Sequence, residues 1–174
     1  MKMPDISSPS PWIARFAPLV LPGGPVLDLA CGGGRHARLF LRLGHPVTAL
    51  DRDLSGVADL VGAERIQADL EDGSPWPLPG RRFAGVVVAN YLHRPLFPAL
   101  RDALAEDGVL LYETFALGQE RYGRPSNPDF LLRPGELLEA CAGLQVVAYE
   151  HGLDPRPAVR QRICAIRGDR LAPL

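Results

Sequence analysis

Three carboxylates, Asp28, Asp51 and Asp69, each stand at or near the end of a short apolar run, and Gly32-Gly33-Gly34 follows the first. Glycines at such a turn let backbone approach a ligand closely. The helix expected next would present free N–H groups and a positive dipole end, which suit a phosphate or a carboxylate. Asp51 lies 17 residues beyond Gly34, where a carboxylate can accept both hydroxyls of a ribose. Asp69 can accept from an exocyclic amine such as that of adenine. Together they outline a nucleoside lying across three strand ends. Gly32, Gly34 and Ala37 match the dinucleotide pattern G-x-G-x-x-A, which alone is a weak signal. Asp28 sits inside the first run, where it can meet an ammonium group. That position, and a chain ending in a hairpin, favour S-adenosylmethionine over a dinucleotide, with a nicotinamide-dependent protein as the alternative.

The elements that must carry these residues follow from pattern and punctuation. A short helix is expected over 12–20, interrupted or ended near Pro18. Strands are expected at 26–30, 46–50 (ending in Asp51), 65–68 (ending in Asp69), 83–89 and 109–115. The fourth is the clearest buried strand, with Val86-Val87-Val88 at its centre. Helices are expected at 35–43, stopped by Gly44, and at 54–61, 96–104 and 134–141, the last with Pro134 in its first turn. Residues 71–82 hold Pro75, Pro77 and Pro79 and read as loop. Residues 116–133 are rich in Gly, Pro, Asn and Arg, too long for an ordinary connection, and read as a substrate lid. Two closing strands, 144–150 and 159–167, are separated by about eight residues, too few for a helical crossover, so they should pair antiparallel. The fold class is therefore α/β: a Rossmann-like, doubly wound, mostly parallel seven-stranded sheet with a C-terminal antiparallel hairpin. Residues 1–174 read as a single domain, with 1–22 an N-terminal helix or arm.

The run Val26 to Ala37 resembles the first motif of class I S-adenosylmethionine-dependent methyltransferases. Val47 to Asp51 resembles their second, Gln67 to Leu70 their third, Val86 to Asn90 with Tyr91 their fourth, and Asp107 to Leu111 their fifth. The resemblance spans about 20–168. Within the superfamily, Cys31-Gly32-Gly33-Gly34-Arg35 is similar to small methyltransferases grouped with tellurite-resistance proteins, which transfers no substrate. The resemblance implies that Asp28 and the Ala30, Gly32 and Gly34 turn hold the methionine end. It implies that Asp51 holds the ribose with Arg52 flanking the adenine, that Asp69 and Leu70 frame the adenine, and that Asn90 lies near the transferring methyl. The Asn/Asp-Pro-Pro-Tyr of many amide and amino-group enzymes is replaced by Asn90-Tyr91-Leu92-His93, which argues against an adenine-N6 or glutamine-N5 target.

A general base is needed only where the acceptor must lose a proton early. The catalytic candidates are Tyr91, His93 and Glu113, and the substrate candidates are Arg94, Tyr122, Arg124 and Asn127. Each has a plainer role available. His93 could cap a helix, Tyr91 could pack, Glu113 could pair with an arginine, and Trp12 could either cover the cofactor or pin the N-terminal helix. Cys31 reads as a small packing residue. Arg156, Arg160, Arg162, Arg167 and Arg170 cluster near the C-terminus, as a charged strand guarding a sheet edge or as a phosphate contact.

Bulk properties narrow the field. Net charge is -1, with 47% hydrophobic and 22% charged residues, so no global field favours nucleic acid or an acidic membrane. Three cysteines without a Cys-x-x-Cys argue against a disulfide framework or a zinc site, and no metal is expected. No apolar run is long enough to span a bilayer, and residues 1–10 lack a signal-peptide pattern. The expectation is a cytoplasmic bacterial enzyme, monomer or homodimer, acting with S-adenosyl-L-methionine on a small molecule or an oxyanion. An RNA methyltransferase and a non-catalytic S-adenosylmethionine-binding protein are the alternatives.

Overall fold

The computed structural model describes residues 8–173. Residues 1–7, on which the reading of the leader region mostly rests, lie outside them. Seven strands form one sheet: β1 (Val26–Leu29), β2 (Val47–Asp51), β3 (Ala63–Gln67), β4 (Phe83–Ala89), β5 (Leu104–Phe115), β6 (Gln145–Leu153) and β7 (Val159–Ile166). Their order is β3-β2-β1-β4-β5-β7-β6. The pairs from β3 through β5 are parallel, and β7 runs antiparallel to both β5 and β6. This is the architecture the alternation of apolar runs predicts. Strand order reverses between β1 and β4, so the carboxyl ends of those two strands flank a crevice.

Alternation along each strand divides the core. On β4, Val87 faces a cluster with Trp12, Ile13, Phe16 and Phe40, whereas Val86 and Val88 face one with Leu78, Leu100 and Leu137. Helices α1 (Pro11–Phe16) and α2 (Arg35–Arg42) cover the first face, and α3 (Phe97–Asp102) and α4 (Glu136–Ala140) cover the second. A buried valine triplet is what two covered faces demand.

Several boundaries differ from expectation. The helix expected at 54–61 is only a 3-10 turn, Ser55–Val57, because Asp53 folds the chain back by accepting from the Ser55 N–H at 2.8 Å. The helix expected at 96–104 stops at Asp102, and Leu104 already belongs to β5. Asp107 takes a left-handed backbone and the register with β4 shifts between Phe83 and Gly85, so an irregularity was hidden inside one strand. Pro134 precedes α4 rather than opening it. β7 lies between β5 and β6 and is not an edge, so the arginines on it guard none.

Candidate functional site

The glycine turn is fixed by short bonds to its neighbours. Cys31 N–H donates to the Leu50 carbonyl at 3.1 Å, and Gly34 N–H to the Cys31 carbonyl at 2.8 Å. Gly32 N–H donates to the Asp51 carboxylate at 2.9 Å, whose other oxygen accepts from Asp53 N–H at 3.0 Å. Ala30 and Asn90, at the ends of the two strands flanking the switch point, both have a left-handed backbone, with φ of 54° and 56°. Such conformations are costly for residues with a side chain and persist where the surroundings enforce them. The glycines divide the work. A Cβ on Gly32 or Gly33 would meet nothing, so the space above the turn is open. A Cβ on Gly34 would lie 2.6 Å from Val57, so Gly34, expected at the cofactor, serves packing and the left-handed entry to α2.

Asp28 is buried, and its carboxylate accepts from Ala37 N–H at 2.8 Å. It thereby supplies the side-chain cap that Gly34 cannot give α2. Burial pushes its carboxyl up to about 7, against the pull of the Ala37 bond and Arg35. His36 is also buried and accepts from Ser10 N–H at 3.1 Å, while desolvation holds it down to about 3. Cys31 is buried with its thiol pushed up to about 12, an unreactive packing residue as expected. Trp12 donates to the Ile163 carbonyl at 3.3 Å and packs edge-on against Phe16, pinning α1.

A cleft of about 540 Å³ lies across the switch point, within the range of small-molecule sites. Of the expected residues, Ala30, Asp51, Arg52, Asp69, Leu70, Asn90 and Tyr91 line it. Glu71, Leu92, Thr114, Phe115, Pro125 and Phe130 also line it and were not anticipated. Phe115 ends β5, where the strand rule could have found it. Pro125 and Phe130 belong to the segment read as a lid, whose lack of periodicity gave no signal for which of its residues face the cleft.

The remaining candidates lie elsewhere or are engaged. Tyr91 takes the Tyr112 hydroxyl on its carbonyl at 2.7 Å. Burial, then Glu71 and Asp69, push its phenol well above the usual tyrosine range, so it stays protonated and can donate but not serve as a base near neutrality. His93 caps nothing with its side chain, and its Nδ1 stands 3.6 Å from a Glu71 oxygen. Glu113 is buried and accepts from Arg162 at 3.1 Å, the ion pair weighed against catalysis. Arg94 was expected at substrate. It instead donates to Glu136 at 2.6 and 3.1 Å and to the Asp129 and Leu131 carbonyls at 2.8 and 2.9 Å, stitching the 116–133 segment to the body. Tyr122 and Arg124 do not line the cleft, and Asn127 accepts from Asp129 N–H at 3.0 Å, capping the 3-10 turn Pro128–Phe130. Three of the C-terminal arginines are likewise committed. Arg162 binds Asp154 and Glu150, Arg167 binds the Arg101 carbonyl, and Arg170 binds the Leu19 carbonyl. No cluster of three or more metal-ligating side chains occurs among the described residues. No helix among them is long and apolar enough to cross a membrane.

No protein-family model matches the chain, and no curated protein matches it in sequence. Solved structures do. TehB from Haemophilus influenzae superposes with a TM-score of 0.70 at 16% identity over 88% of this chain, which spans 61% of that one. An S-adenosylmethionine-dependent methyltransferase from Mesorhizobium loti gives 0.68 at 18% identity, over 88% of this chain and 98% of the other. Burkholderia thailandensis 1,6-didemethyltoxoflavin-N1-methyltransferase, bound to its substrate and S-adenosylhomocysteine, gives 0.65 at 19% identity, over 91% and 75%. The chain has the class I methyltransferase fold.

Proposed function

From that shared fold, we propose that the chain binds S-adenosyl-L-methionine and transfers its methyl group to a small molecule. The observation that carries this is a single cleft crossing the switch point, with Asp51 and Asp69 on one side and Asn90, Tyr91 and Phe115 on the other. The residues present fit the cofactor. Open space stands above Gly32 and Gly33, and the Asp51 oxygens, each holding one N–H, keep lone pairs for ribose hydroxyls. Asp69 holds Glu71 N–H on one oxygen, which leaves the other for an adenine amine. Arg52 and Leu70 flank the base. Ala30, Gly32 and Asn90 present backbone to the methionine end, and buried Asp28 fixes the turn from behind through α2.

When bound, the cofactor supplies a methyl on a sulfonium for in-line displacement. The chain contributes orientation and exclusion of water. Tyr91 offers a phenol donor and an aromatic face to positive charge. His93 is the proton acceptor where one is needed. Glu113 acts through its pair with Arg162. Residues 116–133 cover the acceptor, presenting Pro125 and Phe130 to the cleft, with Tyr122 and Arg124 at their surface. The Burkholderia thailandensis neighbour, named for N1-methylation of 1,6-didemethyltoxoflavin, supports a small-molecule acceptor over RNA, as does the engagement of Arg162, Arg167 and Arg170 within the fold. We read residues 1–174 as one catalytic domain of a cytoplasmic bacterial protein, monomer or homodimer.

Titration calorimetry tests the reading. S-adenosylhomocysteine should bind and NAD should not. Asp51→Ala should weaken binding about a hundredfold, the loss of two charge-assisted hydrogen bonds. Equal affinity in Asp51→Ala and the parent would remove the pocket and the activity with it.

A further inference from the structure

The acceptor side of the cleft has a composition of its own. Past the switch point its walls are Tyr91, Leu92, Thr114, Phe115, Pro125 and Phe130, with the Glu71 carboxylate beside Tyr91. Phe130 keeps 48% of its surface exposed although it borders the cavity, an aromatic face left without a partner. Arg160 is not itself in the lining but stands directly behind two residues that are, Phe115 and Asn90. Because β7 runs antiparallel, its first residues arrive at the edge where the parallel strands end, and Arg160 pairs in register with Phe115. Its guanidinium lies 4.1 Å from the Phe115 ring centre, and Nη1 donates to the Asn90 side chain at 2.7 Å.

Asp154 and Glu113 both face the charge of Arg160, which shares them with Arg162. The Arg160 Nε is 3.4 Å from Asp154, but that carboxylate lies closer to Arg162, at 2.6 Å. Arg162 also has Glu113 and Glu150 within pairing distance. Nη2 of Arg160 has no hydrogen-bond partner among the described residues, and the side chain retains 17% exposure. An aromatic shelf beside a stacked guanidinium with one unbonded nitrogen suits a flat apolar body carrying one anionic group. A bare inorganic oxyanion fits poorly, because these walls would strip its water and return one partner.

Resting on the reading of the cleft as a methyltransferase site, we propose that the acceptor is a small ring-bearing organic monoanion of the aryl carboxylate type. Its ring lies against Phe115, Pro125 and Phe130, and its carboxylate pairs with Arg160, which makes Arg160 the specificity-determining residue.

The test uses the full chain saturated with S-adenosylhomocysteine and three calorimetric probes: 2-naphthoate, its neutral analogue 2-naphthylmethanol, and inorganic phosphate. Naphthoate should bind about tenfold more tightly than the alcohol, the value of one charge-assisted bond, and phosphate should show no saturable binding. Arg160→Gln should erase the preference for naphthoate, and Arg160→Lys should restore part of it. Phe130→Ala, at a half-exposed position, should weaken both aromatic probes whether or not the Arg160 variants fold. Equal affinity for naphthoate and alcohol overturns the proposal, as does phosphate binding as tightly as naphthoate. So does Arg160→Gln weakening S-adenosylhomocysteine while leaving naphthoate unchanged, which would assign the arginine to the cofactor. S-adenosylhomocysteine failing to bind the parent chain sinks the methyltransferase reading itself. Its binding without naphthoate sinks only this inference.

Discussion

On the β1–β3 side of the cleft, Ala30, Asp51, Arg52, Asp69 and Leu70 all fall within three residues of a strand's carboxyl end. Their positions follow from local chain geometry, and short bonds such as Gly32 to Asp51 lock them. On the far side, Asn90, Phe115, Phe130 and Arg160 come from four separate stretches of chain. Contacts between distant stretches gather them: strand pairing sets Phe115 beside Arg160, backbone bonds join Leu132 to Phe115 and Leu117, and side-chain bridges run from Arg94 to Glu136 and the 116–133 carbonyls and from Arg160 to Asn90. On the proposed reading, the locally determined half meets the cofactor, and the half that varies with the acceptor is assembled from distant stretches, partly through side-chain bridges that can change without disturbing the sheet.

The sharpest way to break this contrast is to remove the central bridge. Glu136 is 3% exposed. Burial alone would raise its carboxyl, yet Arg94 and the Arg133 N–H hold it below the usual carboxylate range. Glu136→Ala leaves the partly exposed Arg94 guanidinium only its two carbonyl partners and should cost about 2–3 kcal/mol of unfolding free energy in urea titrations. S-adenosylhomocysteine affinity should stay near that of the parent. A stability loss below about 1 kcal/mol would mean that the acceptor half is held by something else.

Next come the two glycines of the cofactor turn. Gly34→Ala drives a Cβ into the fully buried Val57 at a φ of +71° and should cost about 2–3 kcal/mol. Gly32→Ala meets no atom and should cost about 1 kcal/mol of backbone strain, yet lower S-adenosylhomocysteine affinity more than Gly34→Ala does. Thermal unfolding beside calorimetry separates the two effects. The reverse ranking would place the ligand away from Gly32.

A subtler contrast lies in two buried titrating groups at the start of α2. Asp28, raised to about 7, contributes stability that is complete below about 4 and declines as pH rises through 7. His36, lowered to about 3, contributes stability that is complete above 6.5 and is lost as pH falls toward 3. Between about 4 and 6.5 the slopes oppose, each about 1.4 kcal/mol per pH unit, so the parent should be nearly flat there. Asn keeps the bond to Ala37, so Asp28→Asn should leave a curve that climbs with pH. His36→Leu should leave one that falls. Urea melts across that window decide, and a flat curve in both variants would remove the opposition.

The same contrast governs what the sequence discloses. Strand runs, glycine punctuation and the acids after them are local signals, so the mostly parallel sheet, its closing antiparallel hairpin and most residues on the β1–β3 side of the cleft could be read directly. Asp28 was read as a ligand contact because spacing shows that it lies near the turn but not that α2 already occupies its carboxylate. Arg94 was read as substrate-facing because its partner Glu136 lies 42 residues away, and no periodicity connects them. Arg160 was read as an edge charge because the order β5-β7-β6 is a property of pairing, not of β7.

The smallest expected effect concerns Asn127, which sequence placed at the substrate and the structure uses as a cap. If capping is its whole role, Asn127→Ala should cost about 0.5–1 kcal/mol, and Asn127→Asp, which can still accept from Asp129 N–H, should recover it. The cap also holds the turn that carries Phe130 to the cleft, so Asn127→Ala should weaken 2-naphthoate only slightly while Asn127→Asp leaves it unchanged. A direct polar contact would reverse the pattern. Asp would then repel the carboxylate and bind it worse than Ala does, a difference that calorimetry at low salt would resolve.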